Sequence, residues 1–372
     1  MRVAIIHPWF PQYRIGFFEK LVARGELEGI EFQIYHGDAP PEWKDRNDSG
    51  LSESFTRLPT RFFTFRGRTL NYKSLAPIAT QKPLDLIIVE QAVRNLETYQ
   101  LLIGRAPVAF WGHGKTYTVA IGAGQERVKQ WLTRRGRWFF AYTSGGAEAV
   151  VAAGFPSNRT TVVQNSIDTS SLQEAIRSVN DEMLDSFNAK CDLKGKTALF
   201  IGGLDASKRL PFLMEAAALA HEHDPDFRLL IAGAGSDRVV VEQAADAVPY
   251  VTYLGALFGR EKAVALRASQ VLAMPGRVGL VAVDSFGAGT PIVTTNWNWH
   301  APEFEYLNDG LNAVVTADHV DAYARALIAT LQDGPFLAAM RSECLAASAR
   351  YTVEAMVENF VGGVKRALES KT

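Results

Sequence analysis

The chain is poor in cysteine and has no long apolar run, and both absences narrow what it can be. Only Cys191 and Cys344 occur among 372 residues. Two isolated thiols provide neither a disulfide framework nor the paired spacing of a zinc site, which suits a reduced, cytosolic protein. No stretch of about 18 apolar residues is present, so no segment reads as a membrane-spanning helix. Met1-Arg-Val-Ala-Ile-Ile-His7 enters a strand directly and lacks the apolar core of a signal peptide. Acidic residues are missing from the whole interval between Glu53 and Asp85. What remains, 47% hydrophobic and 21% charged residues, is the composition of a globular protein long enough for two domains.

Net charge is −1 overall but uneven along the chain. Residues 1–170 hold 21 Lys and Arg against 15 Asp and Glu, and the remainder holds 18 against 25. A positive first half implies an anionic partner. A membrane surface, a phosphorylated acceptor and the acidic second half itself all satisfy that. Within the acid-free interval Arg57, Arg61, Arg66, Arg68 and Lys73 interleave with Phe62, Phe63, Phe65, Leu70 and Tyr72. Exposed, this mixture suits an anionic membrane interface; buried, it is an ordinary strand. Residues 125–138 read as a helix of the same kind, with Arg127, Lys129, Arg134, Arg135, Arg137, Trp131 and Trp138. Single-stranded nucleic acid takes such surfaces too, but no RNA-binding motif accompanies them, and nucleic acid is not an expected partner.

Strand and helix signals alternate through two series, with a break near 165–195. Apolar runs at Arg2–His7, Glu31–His36, Leu84–Val89, Pro107–Trp111, Phe139–Thr143 and Thr161–Gln164 form the first. Runs at Thr197–Ile201, Phe227–Ala232, Tyr250–Leu254, Val271–Met274 and Pro291–Thr295 form the second. Residues 170–190 read as a crossover helix between them. This is an α/β protein of two Rossmann-like parallel-sheet domains facing each other across a cleft. The expected boundaries are 1–168 and 169–351, with a last helix of about 352–372 returning to the first domain.

In open sheets of this type, ligands bind beyond the carboxyl ends of the strands. That rule selects Tyr13, Arg14 and Gly16 after the first strand, although Tyr13 and Arg14 could equally cap their helix. It selects Glu90 and Arg94 after Leu84–Val89, and Gly112-His113-Gly114 after Pro107–Trp111. In the second half, Gly202, Gly203, Lys208 and Arg209 combine a glycine pair with two cations at a helix start, which is phosphate-binding chemistry. Gly233-Ala-Gly235 repeats the strand-glycine-helix pattern. No further glycine fingerprint follows it, and no acidic residue ends the next strand as an NAD site requires.

The most informative stretch is Met274–Thr295. Gly276 and Gly279 bracket a turn containing Arg277, Leu280–Ala288 has helical spacing, and Gly289 stops the helix. A helix starting after a glycine turn presents free N–H groups, here those of Gly279 and Leu280, to an anion. Asp284 stands one turn inside, where a carboxylate can accept from sugar hydroxyls.

This stretch resembles the donor-binding motif of GT-B glycosyltransferases of family 4. There two Glu residues with seven residues between them bracket a Gly-Phe-Gly-Leu turn. Aligned on Gly279-Leu280, the second Glu falls on Asp284 and the first on Gly276. Gly202–Lys208 is similar to the family's Gly-Arg-Leu and following Lys, with Gly203 in place of the Arg. Asp309-Gly-Leu-Asn312 mirrors its Asp-Gly-x-Asn, and His300-Ala-Pro302-Glu303 resembles a His-x-Pro-Glu element of one subgroup. Trp111-Gly-His113-Gly resembles a stretch of another branch, in which the His borders the reacting sugar. Asn165-Ser-Ile-Asp168 resembles the segment closing the first domain.

The resemblance implies a retaining, metal-independent transferase that takes a sugar from a nucleotide-sugar. It acts on a glycan or lipid-linked acceptor in cell-surface polysaccharide synthesis, with no other cofactor. His113, Lys208 and Asp284 would be catalytic. Gly16, Gly202, Gly203, Arg209, Gly233, Gly276, Arg277, Gly279, Leu280 and Glu303 would surround the donor. Tyr13, Arg14, Glu90 and Arg94 would lie on the acceptor side. Glu303 is the candidate to replace the carboxylate missing at Gly276. The expected location is the cytoplasm, peripheral on the inner membrane face. Two other readings stay open, a nucleotide-sugar binding protein without transfer activity and a nucleotide-sugar epimerase or hydrolase.

Overall fold

A computed structural model describes residues 1–40, 55–65, 68–79, 83–117 and 122–370. Arg66 and most of the polar segment 38–58 lie outside the described residues. The chain divides into two compact units, Met1–Asp168 with Val353–Thr372, and Thr169–Thr352. Among the described residues no helix is long and apolar enough to cross a membrane.

The first unit is built on β1 (Arg2–His7), β2 (Glu31–His36), β3 (Thr56–Arg57), and a hairpin of β4 (Thr60–Phe65) and β5 (Arg68–Lys73). Then follow β6 (Leu86–Glu90), β7 (Val108–Gly112), β8 (Trp138–Ala141) and β9 (Thr160–Val162). The sheet runs in the order β3-β2-β1-β6-β7-β8-β9, and every pairing is parallel. A central parallel strand is covered on both faces, so it is apolar at consecutive positions. Val3, Ala4, Ile5 and Ile6 are accordingly all buried. Helices Ile15–Leu27 and Val353–Glu369 cover one face, through Phe17, Phe18 and Leu21 and through Met356, Phe360 and Val364. Their apolar residues recur every three or four positions, which places them on one helical stripe. Phe360 stacks on Phe140 with centroids 4.6 Å apart.

The two basic-aromatic runs come out differently from a plain reading of their residues. The second helix ends early, at Thr133, and Trp138 opens β8 instead. Trp138 is buried and its indole N–H donates to Thr161 Oγ1 at 2.9 Å, so it belongs to the core. In the hairpin, directly opposed residues share a face. The register Arg61↔Tyr72, Phe63↔Leu70 and Phe65↔Arg68 gathers Arg61, Phe63, Leu70 and Arg68 on one side. Lys73 lies on the other, where it is no surface cation. Its ammonium is buried and meets Glu97 Oε1 at 2.8 Å, and Asn71 pairs with Asn95 at 2.9 Å.

The second unit contains β10 (Lys196–Ile201), β11 (Phe227–Ala232), β12 (Val251–Gly255), β13 (Val271–Met274), β14 (Ile292–Thr295) and β15 (Ala313–Thr316). Their order is β12-β11-β10-β13-β14-β15, again all parallel. Strand order reverses between β10 and β13, the place in such a sheet where loops diverge and a ligand can enter. Residues 170–190 form two helices rather than one, Ser170–Arg177 and Asp181–Lys190. The break is a cap: Asn180 accepts the Met183 N–H at 2.9 Å and restarts the helix.

Lys73 and Glu97 are each only 1% exposed, so removing one leaves a buried charge without its partner. Lys73→Met is expected to destabilise the first unit by about 3–5 kcal/mol in urea unfolding. The double variant Lys73→Met with Glu97→Leu should regain more than half of that. A single variant as stable as the native chain would show that the pair does not hold the hairpin.

Candidate active site

β10 and β13 are hydrogen-bonded neighbours, so the turns leaving them meet. The approach is backbone on backbone. A Cβ on Gly276 would stand 2.5 Å from the carbonyl carbon of Lys208 and 2.5 Å from Ser207 O. The Arg277 N–H donates to Ser207 O at 2.8 Å. The place of the missing carboxylate is therefore filled by the main chain, and any side chain there would collide with it. Gly233 packs behind the same turn, where a Cβ would lie 1.9 Å from Gly202 O. Its own carbonyl accepts from the Tyr253 hydroxyl at 2.9 Å.

The glycine turn is tied on several sides. The Thr295 hydroxyl donates to Pro275 O at 3.0 Å, and the Ala301 N–H donates to Val278 O at 2.9 Å. His300 Nδ1 accepts the Val278 N–H at 3.0 Å, while Nε2 lies 2.8 Å from Thr295 O and donates to it. His300 is buried, and burial pulls its pKa down to about 4, so the ring is neutral near pH 7. The amides of Gly279 and Leu280 have no acceptor among the described residues. They open helix Val281–Ala288, whose dipole adds partial positive charge at that end.

Two cations approach this turn, with different fates. Lys208 Nζ donates to Arg277 O at 2.7 Å, which brings its charge to the turn. Gly202 leaves room for its stem, with Lys208 Cε 3.9 Å from where a Cβ would stand. Arg209 takes a left-handed backbone, φ 57°, and its guanidinium pairs with the Asp318 carboxylate and lies 4.3 Å from the Phe212 ring centre. Its charge is thus already balanced by a carboxylate. Gly203, which stands where the family has an Arg, is exposed. The Arg277 side chain donates from Nε to Trp299 O at 3.2 Å.

Two carboxylates complete the set. Asp284 pairs with Lys262 at 2.8 Å, both about a fifth exposed. Lys262 sits on helix Gly259–Ala268 and had no sequence signal of its own, since a single lysine on an amphipathic helix is commonplace. Glu303 lies in the short turn Pro302–Tyr306 and is only 4% exposed. Its Oε2 is 3.6 Å from where a Cβ on Gly279 would stand, so the carboxylate lies against the glycine turn. Among the described residues no group of three or more His, Cys, Asp or Glu is placed to hold a metal.

In the first unit, Arg14 is buried rather than presented. Nη2 donates to Asn165 Oδ1 at 2.7 Å and Nη1 to Ser166 O at 3.4 Å, which fastens the first loop to Asn165–Asp168. Gly16 lets Asp168 in, with a Cβ position 3.3 Å from that side chain. Tyr13 stays 45% exposed. His113 is half-buried beside Tyr142, ring centres 4.9 Å apart. A Cβ on Gly114 would lie 2.0 Å from Gly146 O, so the His113 loop rests directly on helix Ser144–Ala152. Glu90 accepts from Asn95 Nδ2 at 3.1 Å; burial pushes its pKa up against the pull of Lys73. Arg94 is exposed.

Residues 195–333 match the family model described as glycosyl transferases group 1. The second unit carries a group 1 glycosyltransferase domain. The chain is 29% identical over 177 residues to a phosphatidyl-myo-inositol mannosyltransferase of Mycolicibacterium smegmatis, a match covering 46% of this chain and 42% of that protein. The chain thus spans less than half the length of that curated relative. Among solved structures it is similar to Anabaena Alr3699/HepE in complex with UDP, with a TM-score of 0.69 and 15% identity over 98% of this chain and 100% of that one. A glycosyltransferase from Rickettsia africae gives a TM-score of 0.71 at 10% identity, over 100% and 99%. These likenesses, with the two parallel-sheet units, show the GT-B fold.

Within the group 1 domain the glycines of the two turns are unequal. Gly276 touches backbone, while a Cβ on Gly203 meets nothing nearer than an Asp205 oxygen at 3.4 Å. Gly276→Ala is expected to cost about 1–3 kcal/mol, and Gly203→Ala less than about 0.5 kcal/mol, in parallel urea unfolding. Equal losses would contradict the close approach of the two turns.

Proposed function

We propose that this chain is a glycosyltransferase that moves a sugar from a nucleoside diphosphate to a glycan or lipid-linked acceptor, with retention at the anomeric carbon and without a metal. The observation that carries the reading is the joint placement of Lys208, the Gly279 and Leu280 amides and the Glu303 carboxylate at one turn of a group 1 domain. Two of the similar proteins support it, a phosphatidyl-myo-inositol mannosyltransferase and a structural neighbour in complex with UDP.

Transfer breaks the bond between the sugar and the β-phosphate and leaves negative charge on the departing oxygen. Fixed amides and a nearby cation stabilise that charge without reorganising at the moment of reaction. Lys208 and the glycine-turn amides take this part. Asp284, held by Lys262, faces the ribose. Glu303 contacts the sugar in place of the carboxylate that Gly276 cannot carry. His113 borders the sugar and the acceptor hydroxyl, and Tyr13 and Arg94 are on the acceptor side. Arg14 and Glu90 support that side from within, since both are already hydrogen-bonded.

A screen of UDP-, GDP- and ADP-sugars with lipid and glycan acceptors tests the reading through product formation. Donor turnover without any acceptor would favour a hydrolase or epimerase instead, and binding without turnover a non-catalytic protein. Once a donor is known, Lys208→Ala is expected to lower kcat by at least about a hundredfold with melting unchanged, since a charge-assisted contact made in the transition state contributes about 2–4 kcal/mol. Undiminished turnover would remove Lys208 from the site.

An anionic membrane surface is the second partner we propose. On the hairpin, Arg61, Phe63 and Arg68 are exposed on one face. On helix Ala123–Thr133, Val128 and Trp131 are exposed beside Arg127, and Arg135 stacks on Trp131 at 3.6 Å. Apolar groups flanked by arginines enter the headgroup region while the charges meet anionic lipid. Sedimentation with phosphatidylglycerol-containing vesicles should show binding at about 20 mM salt and little at about 300 mM, because the Debye length shortens about fourfold. Phe63→Ala combined with Trp131→Ala should weaken it. No binding at low salt would sink this proposal.

A further inference from the structure

His300 and Ala301 hold two successive peptide planes of the glycine turn. In a trans peptide the C=O and the following N–H point in opposite directions. The first plane joins Arg277 to Val278. Its carbonyl accepts from Lys208 Nζ at 2.7 Å, and its N–H donates to His300 Nδ1 at 3.0 Å. It is gripped at both ends. The second plane joins Val278 to Gly279. Its carbonyl accepts the Ala301 N–H at 2.9 Å, so the Gly279 N–H is aimed away from residue 301. His300 and Ala301 are consecutive, so one short segment sets both planes.

The segment is itself fixed to the sheet. His300 Nε2 donates to the carbonyl of Thr295, the last residue of β14, whose neighbour Thr294 is in register with Met274 of β13. That bond keeps the proton on Nε2 and leaves Nδ1 as an acceptor. The ring plane is held by Phe304, stacked at 4.1 Å and 3°. A continuous path therefore runs from β14 through the imidazole to the turn.

We infer that His300 is a positioning residue for nucleoside diphosphate binding, orienting the Arg277–Gly279 peptide planes so that the Gly279 amide is preset toward the phosphates. The ligand rests on the function proposed above; the orientation rests on the bonds just described. His300 does not itself touch the ligand. Its effect is on how much ordering the turn must undergo when the anion arrives, which sets affinity.

Two amide substitutions separate the halves of the ring. The Asn oxygen in His300→Asn falls near Nδ1 and keeps an acceptor for the Val278 N–H. The amide nitrogen in His300→Gln falls near Nε2, keeps the bond to Thr295 and leaves the Val278 N–H without its acceptor. Hydrogen exchange of the peptide covering 275–281 should accelerate in His300→Gln and stay close to native in His300→Asn. Calorimetric affinity for UDP or GDP, whichever the native chain binds, should fall at least about tenfold in His300→Gln and less than about threefold in His300→Asn. A purely structural role would shift melting in both variants and separate neither readout. Equal behaviour of the two variants, or unchanged exchange in both, overturns the inference. An exchange difference in a native chain that binds neither UDP, GDP nor ADP overturns the assignment of the ligand, and with it the proposed function, while leaving the orientation in place.

Discussion

The contact between Gly276 and the Ser207–Lys208 backbone governs the second unit. It exists because strand order reverses between β10 and β13, which puts two glycine turns at one edge of the sheet. Once the main chains touch, Arg277 can bond to Ser207 and the Lys208 ammonium can reach the Arg277 carbonyl. The same closeness leaves no room for a side chain at 276. A cation bonded to the Arg277 carbonyl and a pair of unaccepted amides then belong to one turn, which is the basis of the proposed anion site.

The first unit uses the same device with different residues. Gly114 and Gly146 bring the loop after β7 onto the start of a helix, and His113 is carried on that contact. Arg14 does what a glycine cannot, reaching across to Asn165 and Ser166 and filling the space against Trp111. A buried guanidinium needs bonded donors, and here Nη1 and Nη2 find them while Nε is buried without a partner among the described residues. That requirement makes the first loop and the end of the unit depend on each other, and it draws Arg14 into the interior even though its position beyond a strand end suggested a place beside a ligand.

The fold was legible because its signals are periodic. Glu31–His36 and Phe227–Ala232 are strands with the bounds their sequence suggests, and Gly289 ends its helix in the left-handed conformation a C-cap requires. The glycine turns were legible for the same reason, since glycine after an apolar run is a local signal. The partners of those turns were not. Nothing near Lys262 marks it as the counter-charge of Asp284, and nothing near Asp318 marks it as the partner of Arg209. Such pairs are made by chain segments brought together only when the sheet forms. The basic-aromatic runs failed to read cleanly because composition does not say which side of a hairpin a residue takes. Only the register separates Arg61 from Lys73.

Charge around the glycine turn explains how a carboxylate can sit so close to the turn proposed to bind an anion. Glu303 is almost wholly buried beside Gly279, and an isolated carboxylate there would oppose any phosphate. It does not stand alone, because Lys208 is held at the same turn and the Gly279 and Leu280 amides carry partial positive charge. The anion and the carboxylate can therefore coexist if each uses a different part of that positive field. A sugar bears hydroxyls that donate to a carboxylate and is joined to phosphates that accept from amides and ammonium. A ligand with both kinds of group fits the arrangement better than a bare phosphate does. In the function proposed above, Glu303 would therefore favour a nucleotide that still carries its sugar, the state in which a transferase binds its donor.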